Sequence, residues 1–405
     1  MPGIFDIKDS CTGCGACSCI CPHDCIRLEP DSEGFFYPVY NDADCIECGL
    51  CEKACHALSA QEREPLSKER YFLYRSLDDE ILKGSSSGGG FTLFAEWVLN
   101  EGGVVFGSCY NADENRLEVF STEKIAFQSL RKSKYIESYT GKVYSEVRKS
   151  LKEKRRVLFC GTPCQVRGLK RFLTVSNTDS SLLLTMDFIC HGVPSNLIFN
   201  LFSERFKKRG KVVDVDFRYK DFSKKHLMWH NMALKMLFSA GKNIIIQRGD
   251  RQYYYYYQLF LDNLILRRSC YTCDIANHSD ADITMGDFWG IFRYRTELDD
   301  NKGMSFLRIN NKGVLPLWEE LSKNGFSEAL PYPYVAYIHN DTRELRLKQL
   351  QERNKFMSDV ISLGYNAAVR KRYPLGTIVK KYIADRVWKR AKSYVANTRF
   401  GRILK

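Results

Sequence analysis

The sequence predicts a mixed chain, α+β and α/β, in three parts: a small cysteine-rich module at residues 1–60, a larger α/β domain at 71–365, and a basic helical tail at 366–405. Three observations carry this expectation. Ten of the sixteen cysteines fall in the first 55 residues, eight of them in two matching runs. From residue 71 onward, short apolar strand candidates alternate with glycine-bearing turns and apolar-periodic helices. The last tenth of the chain is strongly basic.

The cysteine runs are Cys11-x-x-Cys14-x-x-Cys17-x-x-x-Cys21-Pro22 and Cys45-x-x-Cys48-x-x-Cys51-x-x-x-Cys55-His56. Three thiolates two residues apart let one tight loop wrap three corners of a cube, and Gly13, Gly15 and Gly49 free the loop in φ. In paired 4Fe-4S modules the fourth cysteine of each run ligates the other cluster. Cys11, Cys14, Cys17 and Cys55 are therefore expected to hold one cube, and Cys45, Cys48, Cys51 and Cys21 the other. Zinc favours C-x-x-C pairs over triplets with a remote fourth ligand, and disulfides need a secretory context. Cys19 and Cys25 read as small buried hydrophobes.

At 405 residues, 44% hydrophobic and 27% charged, the composition is that of a soluble globular protein. Residues 1–9 show neither the basic start nor the apolar run of a signal peptide, and no stretch has the length of a membrane span. A cytoplasmic protein is expected. The net charge of +13 suggests nucleic acid until it is located. From Arg370 to Lys405 there are twelve Lys/Arg and one acid, Asp385, which accounts for eleven of those charges. With the body nearly neutral, nucleic acid is not an expected partner.

Taken in order, Ile26-Arg-Leu-Glu and Gly34 to Tyr40 read as strands joining the cysteine loops, and residues 61–70 as a polar linker. Tyr71 to Arg75 is a strand candidate, and Ser85-Ser-Ser-Gly-Gly-Gly-Phe-Thr92 opens a helix. A glycine turn there is either a plain turn or an anion site made by unpaired helix N–H groups. Val157-Leu-Phe leads to Cys160-Gly-Thr-Pro-Cys164, and Leu182 to Ile189 leads to Cys190-His191-Gly192. Ligands of open α/β sheets sit at the carboxyl ends of strands, so Cys164 and Cys190 can share a site. Cys270-x-x-Cys273 would complete four thiolates, enough for a third cube, or form a reduced pair without a ligand. Residues 211–250 alternate as antiparallel strands. Tyr253 to Tyr257 either stack on a ring system or pack in the core with their hydroxyls toward solvent, and core packing is the expectation. In the tail, Val379, Tyr382, Ile383, Val387, Ala391, Tyr394 and Val395 form one apolar stripe, suited to an anionic membrane, a partner, or the protein's own domain.

Seven stretches in order resemble the family of coenzyme F420 hydrogenase/dehydrogenase beta subunits, whose members carry flavin and iron–sulfur clusters. They are Ser87-Gly88-Gly89-x-x-Thr92, Lys134-Tyr135-x-x-Ser138, Cys160-Gly-Thr-Pro-Cys164-Gln165, Cys190-x-Gly192-x-Pro194-Ser195, Phe217-Arg218-x-Lys220, Cys270-x-x-Cys273 and Ala281-Asp-Ile-x-x-Gly-Asp-x-Trp-Gly290. With the N-terminal module, the resemblance covers about residues 1–300 and is similar to bacterial proteins found with surface-polysaccharide genes. It implies an FAD domain, with Ser87, Gly88, Gly89 and Thr92 at the pyrophosphate and Lys134 and Tyr135 near the ribityl chain or ring. It also supports a third 4Fe-4S cluster at Cys164, Cys190, Cys270 and Cys273.

The expected activity joins one-electron and two-electron chemistry. A ferredoxin-like carrier exchanges electrons with the N-terminal clusters, and the flavin exchanges hydride with a small-molecule substrate or deazaflavin-type coenzyme. His191 and Lys220 are the candidate proton-handling residues, with His226 and His230 as alternatives; a histidine beside a cluster ligand also serves as a hydrogen-bonding neighbour. The same residues fit a non-catalytic electron-transfer subunit, or a polysaccharide-biosynthesis accessory protein held peripherally at the inner membrane face by its tail.

Overall fold

The computed structural model describes residues 3–58, 70–275, 278–331, 343–376 and 378. The expected linker at 61–70 and the apolar stripe from Val379 to Val395 lie almost wholly outside them. In the N-terminal module, strands β1 (Ile26–Pro30) and β2 (Phe36–Tyr40) pair antiparallel between two short helices, Ala16–Ile20 and Leu50–Ala54. Each helix starts at a left-handed glycine, Gly15 or Gly49, where a cysteine loop turns inward.

Twelve further strands follow: β3 (Tyr71–Ser76), β4 (Val104–Asn111), β5 (Arg116–Ser121), β6 (Ser138–Tyr139), β7 (Val157–Cys160), β8 (Leu183–Phe188), β9 (Val212–Tyr219), β10 (Ala233–Phe238), β11 (Asn243–Ile246), β12 (Ile283–Asp287), β13 (Ser305–Ile309) and β14 (Gly325–Ala329). Nine form one sheet in the order β14-β3-β13-β12-β8-β7-β4-β5-β6. Its centre, β4, β7, β8 and β12, is parallel, whereas β3, β13 and β14 pair antiparallel. The central strands read as continuous apolar runs because both of their faces are covered; Val157, Leu158 and Phe159 are fully buried. Strands β9, β10 and β11 form a separate antiparallel sheet, as their alternation predicts.

The parallel core brings the carboxyl ends of β7, β8 and β12 to one edge. The Pro163–Val175 helix begins there on a capping box: the Thr162 hydroxyl accepts from Gln165 N–H, and the Gln165 side chain accepts from Thr162 N–H. Tyr253 to Tyr257 are all buried, as expected, in a core cluster with Phe199, Phe202 and Phe217, but the Tyr256 and Tyr257 hydroxyls donate to Tyr135 O and Phe217 O instead of reaching solvent.

The N-terminal module is built into the larger domain. Its Ala16–Ile20 and Leu50–Ala54 helices pack on the Pro163–Val175 helix. Arg353, on the Arg343–Leu363 helix, is fully buried; it donates to Leu266 O at 3.0 Å and grips both oxygens of Glu33. Among the described residues, no helix is long and apolar enough to cross a membrane. Because Arg353 is buried and the Glu33 side chain only 14% exposed, Arg353→Leu leaves a largely covered carboxylate without its partner. It is expected to cost about 3–5 kcal/mol of stability, read as a lowered denaturant midpoint.

Candidate electron-transfer site

The structure gathers the thiols into three groups. Cys21, Cys45, Cys48 and Cys51 line one cavity, with Cys25 and Tyr40 in the same wall. Cys17 has Cys14, Cys11 and Cys55 as its electrostatic neighbours. Cys21 thus lies with the thiols of the second run, and Cys55 with those of the first. Cys19 and Cys25 are buried, and the Cys19 thiol donates to Gly141 O at 3.3 Å.

Cys164, Cys190, Cys270 and Cys273 line a third cavity, together with Thr12 and Arg267. Backbone pairing makes this convergence. Gly161 N–H donates to Met186 O and Ile189 N–H to Met285 O, holding the ends of β7, β8 and β12 in register. Beyond β8, Ser195 N–H donates to Ile265 O and Arg267 N–H to Val193 O, so that Cys190 and Cys270 are carried toward each other. Burial pushes the Cys164 thiol up to about 11 and the Cys270 thiol up to about 12, with Cys273 adding to both. Among the described residues no three Cys, His, Asp or Glu side chains converge on a single ion position. Thiols spread around a cavity fit a four-iron cube, whose ligands occupy its corners, better than a zinc ion.

The first and third groups adjoin. Cys14 counts Cys164 among its electrostatic neighbours and lies against Gly168 of the Pro163–Val175 helix. Thr12 stands in the wall of the third cavity, with its hydroxyl 3.0 Å from His56 Nε2. Burial, then Arg167, lowers the His56 pKa to about 4, so this ring is neutral.

A second constellation forms at the end of β12. The Arg218 guanidinium, 2% exposed, bonds Asp287 at 2.5 Å, Tyr135 Oη at 3.2 Å and Ser86 O at 3.3 Å. Lys220 Nζ donates to Ser87 O at 3.3 Å and Lys302 O at 2.8 Å. Burial, then Arg218 and Lys132, lowers its pKa to about 7. Lys134 donates to three carbonyls, those of Leu130, Arg131 and Lys132, and burial lowers its pKa to about 8. Trp289, 40% exposed, stacks on buried Trp229 at 4.8 Å with Arg218 over its face. Four separate sequence stretches, at Ser86–Ser87, Lys134–Tyr135, Arg218–Lys220 and Asp287–Trp289, thus meet in one place.

The glycine turn is packed into the fold at several points. Ser87 Oγ donates to Met304 O at 2.6 Å, Gly88 N–H donates to Ser305 Oγ at 2.9 Å, and Thr92 is 1% exposed. A Cβ on Gly88 would fall 2.2 Å from Tyr74 O, so this glycine serves close packing on β3. Gly89 is the left-handed residue from which the Gly90–Asn100 helix starts, without a side-chain cap. The Ser87 side chain and the Gly88 amide are therefore bonded inside the fold, while the buried Thr92 hydroxyl makes no hydrogen bond within it. Arg218 and Lys220 bring positive charge to this place, Arg218 already paired with Asp287, while the Lys134 donors are taken up by backbone carbonyls.

His191 follows Cys190 and packs edge-on against Phe260 at 4.7 Å, and Phe260 packs on Tyr135 at 5.0 Å. Aromatic rings thus run from the third thiol group to the Arg218 constellation. Of the two alternative histidines, His226 is exposed and His230 Nε2 lies 3.1 Å from Asp299. Sequence reasoning missed Arg267, Asp287 and the Trp229–Trp289 stack as site residues. Asp287 and Trp289 stood inside a quoted motif, whereas no local pattern marks Trp229.

This arrangement defines an iron–sulfur electron-transfer protein. Comparison with known proteins makes the class particular. Residues 10–58 match the family model for a 4Fe-4S dicluster domain, and residues 154–333 that for the C-terminal part of the coenzyme F420 hydrogenase/dehydrogenase beta subunit. The chain is thus similar to both domains over those two stretches. The F subunit of F(420)H(2) dehydrogenase from Methanosarcina mazei is 22% identical over 201 residues, which is 47% of this chain and 56% of the relative. The chain thus matches little more than half of that relative's length. A chain of the xenon-derivatised F420-reducing [NiFe] hydrogenase complex from Methanosarcina barkeri superposes with a TM-score of 0.47 at 16% identity, covering 73% of this chain and 96% of that one.

If the fourth cysteines are exchanged as the fold places them, Cys55→Ser should impair the Cys11/Cys14/Cys17 cluster and Cys21→Ser the Cys45/Cys48/Cys51 cluster. Each variant is expected to lose up to about four irons, with a different electron paramagnetic resonance signal lost in each.

Proposed function

We propose that this protein is an iron–sulfur flavoprotein oxidoreductase that exchanges single electrons with a ferredoxin-like carrier and hydride with an organic substrate or a deazaflavin-type coenzyme. The observation that carries the reading is the serial order of the sites. The Cys21/Cys45/Cys48/Cys51 group has an exposed member, Cys48, suited to meeting a carrier. The Cys11/Cys14/Cys17/Cys55 group adjoins the Cys164/Cys190/Cys270/Cys273 group, and His191, Phe260 and Tyr135 lead on to the basic constellation.

In this reading the three thiol groups hold 4Fe-4S cubes, and the Arg218 constellation holds FAD. Flavin, when bound, supplies the conversion between one-electron and two-electron transfer. Arg218 is fixed by Asp287 and Tyr135 and keeps a positive charge close to where an anionic diphosphate would lie. Lys134 adjoins Tyr135 in sequence, and Trp289 is a partly exposed aromatic group in the same constellation. Lys220, close to neutrality in its pKa, can hold or release a proton there at physiological pH. His191 is the second proton-handling candidate, placed between Cys190 and Phe260.

A second reading, an electron-transfer subunit that passes electrons to a partner enzyme, draws on the relative being named as one subunit of a dehydrogenase. Turnover by the isolated chain with an artificial donor separates the two. Action in the cytoplasm, with the basic tail against an anionic membrane surface, completes the proposal; the polysaccharide-biosynthesis role is an alternative setting for the same chemistry.

Anaerobic reconstitution followed by iron and flavin quantification tests the assignment. About twelve irons and one FAD per chain are expected. Absence of a flavin absorbance band would sink the flavoprotein reading, and about eight irons would remove the third cluster. The Lys220 environment adds a pH dependence. In the free protein Lys220 loses its proton near pH 7, and a bound diphosphate would raise that pKa. FAD affinity should thus be flat below pH 7 and fall as pH rises above it. Lys220→Gln should weaken binding below pH 7 and flatten the profile, as measured by fluorescence titration.

A further inference from the structure

We propose that Arg267, with Glu137 as its counter-charge, sets the reduction potentials of the two adjoining sites, Cys11/Cys14/Cys17/Cys55 and Cys164/Cys190/Cys270/Cys273, and leaves the outer Cys21/Cys45/Cys48/Cys51 site largely untouched. The inference rests on the assignment of four-iron cubes to these cysteines. Arg267 is an unusual residue to bury: its side chain is 1% exposed. Its Nε donates to Cys11 O at 2.8 Å and its Nη2 to Phe36 O at 2.8 Å, with Nη2 also 3.9 Å from Cys11 Sγ. The same side chain stands in the wall of the cavity lined by the third thiol group. Its charge reaches Cys164 and Cys270 electrostatically. One guanidinium therefore faces ligands of both sites, and it is not part of the cavity wall around the outer site.

The backbone is shaped to admit it. Gly13 has φ +68°, and a Cβ there would fall 2.8 Å from Arg267 Nη1. Glu137, 5% exposed, accepts from Arg267 Nη1 and from Phe36 N–H at 3.0 Å, holding the fork against the Cys11 loop. Tyr37 stacks beneath the guanidinium at 4.0 Å.

Exchange between the two sites is a transfer of one electron, with no bond or proton change. Reduction adds negative charge, so a nearby cation and donors aimed at the ligand sulfur favour the reduced state, most strongly where water is excluded. Glu137 opposes that effect. The two residues should thus move the potentials in opposite directions.

The test uses the full chain, reconstituted anaerobically, with potentiometric titration followed by electron paramagnetic resonance. The outer cluster's signal is identified by its loss in Cys21→Ser. Arg267→Gln is expected to lower the potentials of both inner clusters, Glu137→Gln to raise them, and Arg267→Lys to fall between wild type and Arg267→Gln. The outer cluster should shift least in every variant. Shifts of one sign from Arg267→Gln and Glu137→Gln, unchanged potentials, or an equal shift of the outer cluster would overturn the proposal. Should Arg267→Gln fail to load iron, Arg267→Lys and Glu137→Gln decide by the same signs. The iron content of the wild type tests the cluster assignment separately; with about eight irons, the Cys11-side cluster alone carries the comparison.

Discussion

Cations reaching across one seam, two of them buried, hold the cysteine module to the α/β domain. Several carbonyls of the module accept hydrogen bonds from side chains of the larger domain. Arg267 donates to Cys11 O and Phe36 O, Lys142 to Ser18 O, and Arg171 to Lys53 O, while Arg353 clasps the Glu33 side chain. Hydrogen bonds from a charged donor to a buried acceptor are among the strongest available, and leaving such an acceptor unmet is costly. The seam therefore fixes how far the Cys11–Cys17 loop stands from the amino end of the Pro163–Val175 helix. The adjacency of Cys14 and Cys164 follows from it.

The second constraint is the parallel block of β4, β7, β8 and β12. Parallel strands bring their carboxyl ends to one edge, and the chain uses that edge twice. The turns after β7 and β8 supply Cys164 and Cys190. The end of β12 supplies Asp287 and Trp289, against which Arg218 from the separate β9–β11 sheet is laid. The thiol cavity and the basic constellation are neighbours because adjacent strands of one sheet end in them, and Phe260 fills the space between through His191 and Tyr135.

Much of the site was legible because cluster ligands come in short spacings. The C-x-x-C-x-x-C runs, the turn at Cys160 to Cys164 and the Cys270–Cys273 pair each declare themselves within a few residues. The exchange of Cys21 and Cys55 was also readable, since a tight loop covers three corners of a cube and must borrow the fourth. Less legible was the Ser85–Thr92 turn. Its glycines suggested a phosphate cradle, yet Gly88 is needed because β3 passes too close for a Cβ. A glycine marks a place where something comes near, and local sequence does not say whether that is a ligand or another strand.

By itself, the sequence determined the electron-carrying character of this protein, the cysteines belonging to each group, and the order of strands and helices that deliver them. These are local properties, set by spacing and periodicity over a few to a dozen residues. Tertiary structure alone decided that Arg267 would serve two thiol groups at once, that Trp229 would back Trp289, and that Lys220 would lie buried beside Arg218. Each depends on segments far apart in the chain, as with Arg267 and Cys11, separated by 256 positions. Such contacts exist only once the sheet and the seam have closed, because burial turns an ordinary arginine or lysine into a group whose charge must be answered by whatever the fold places next to it.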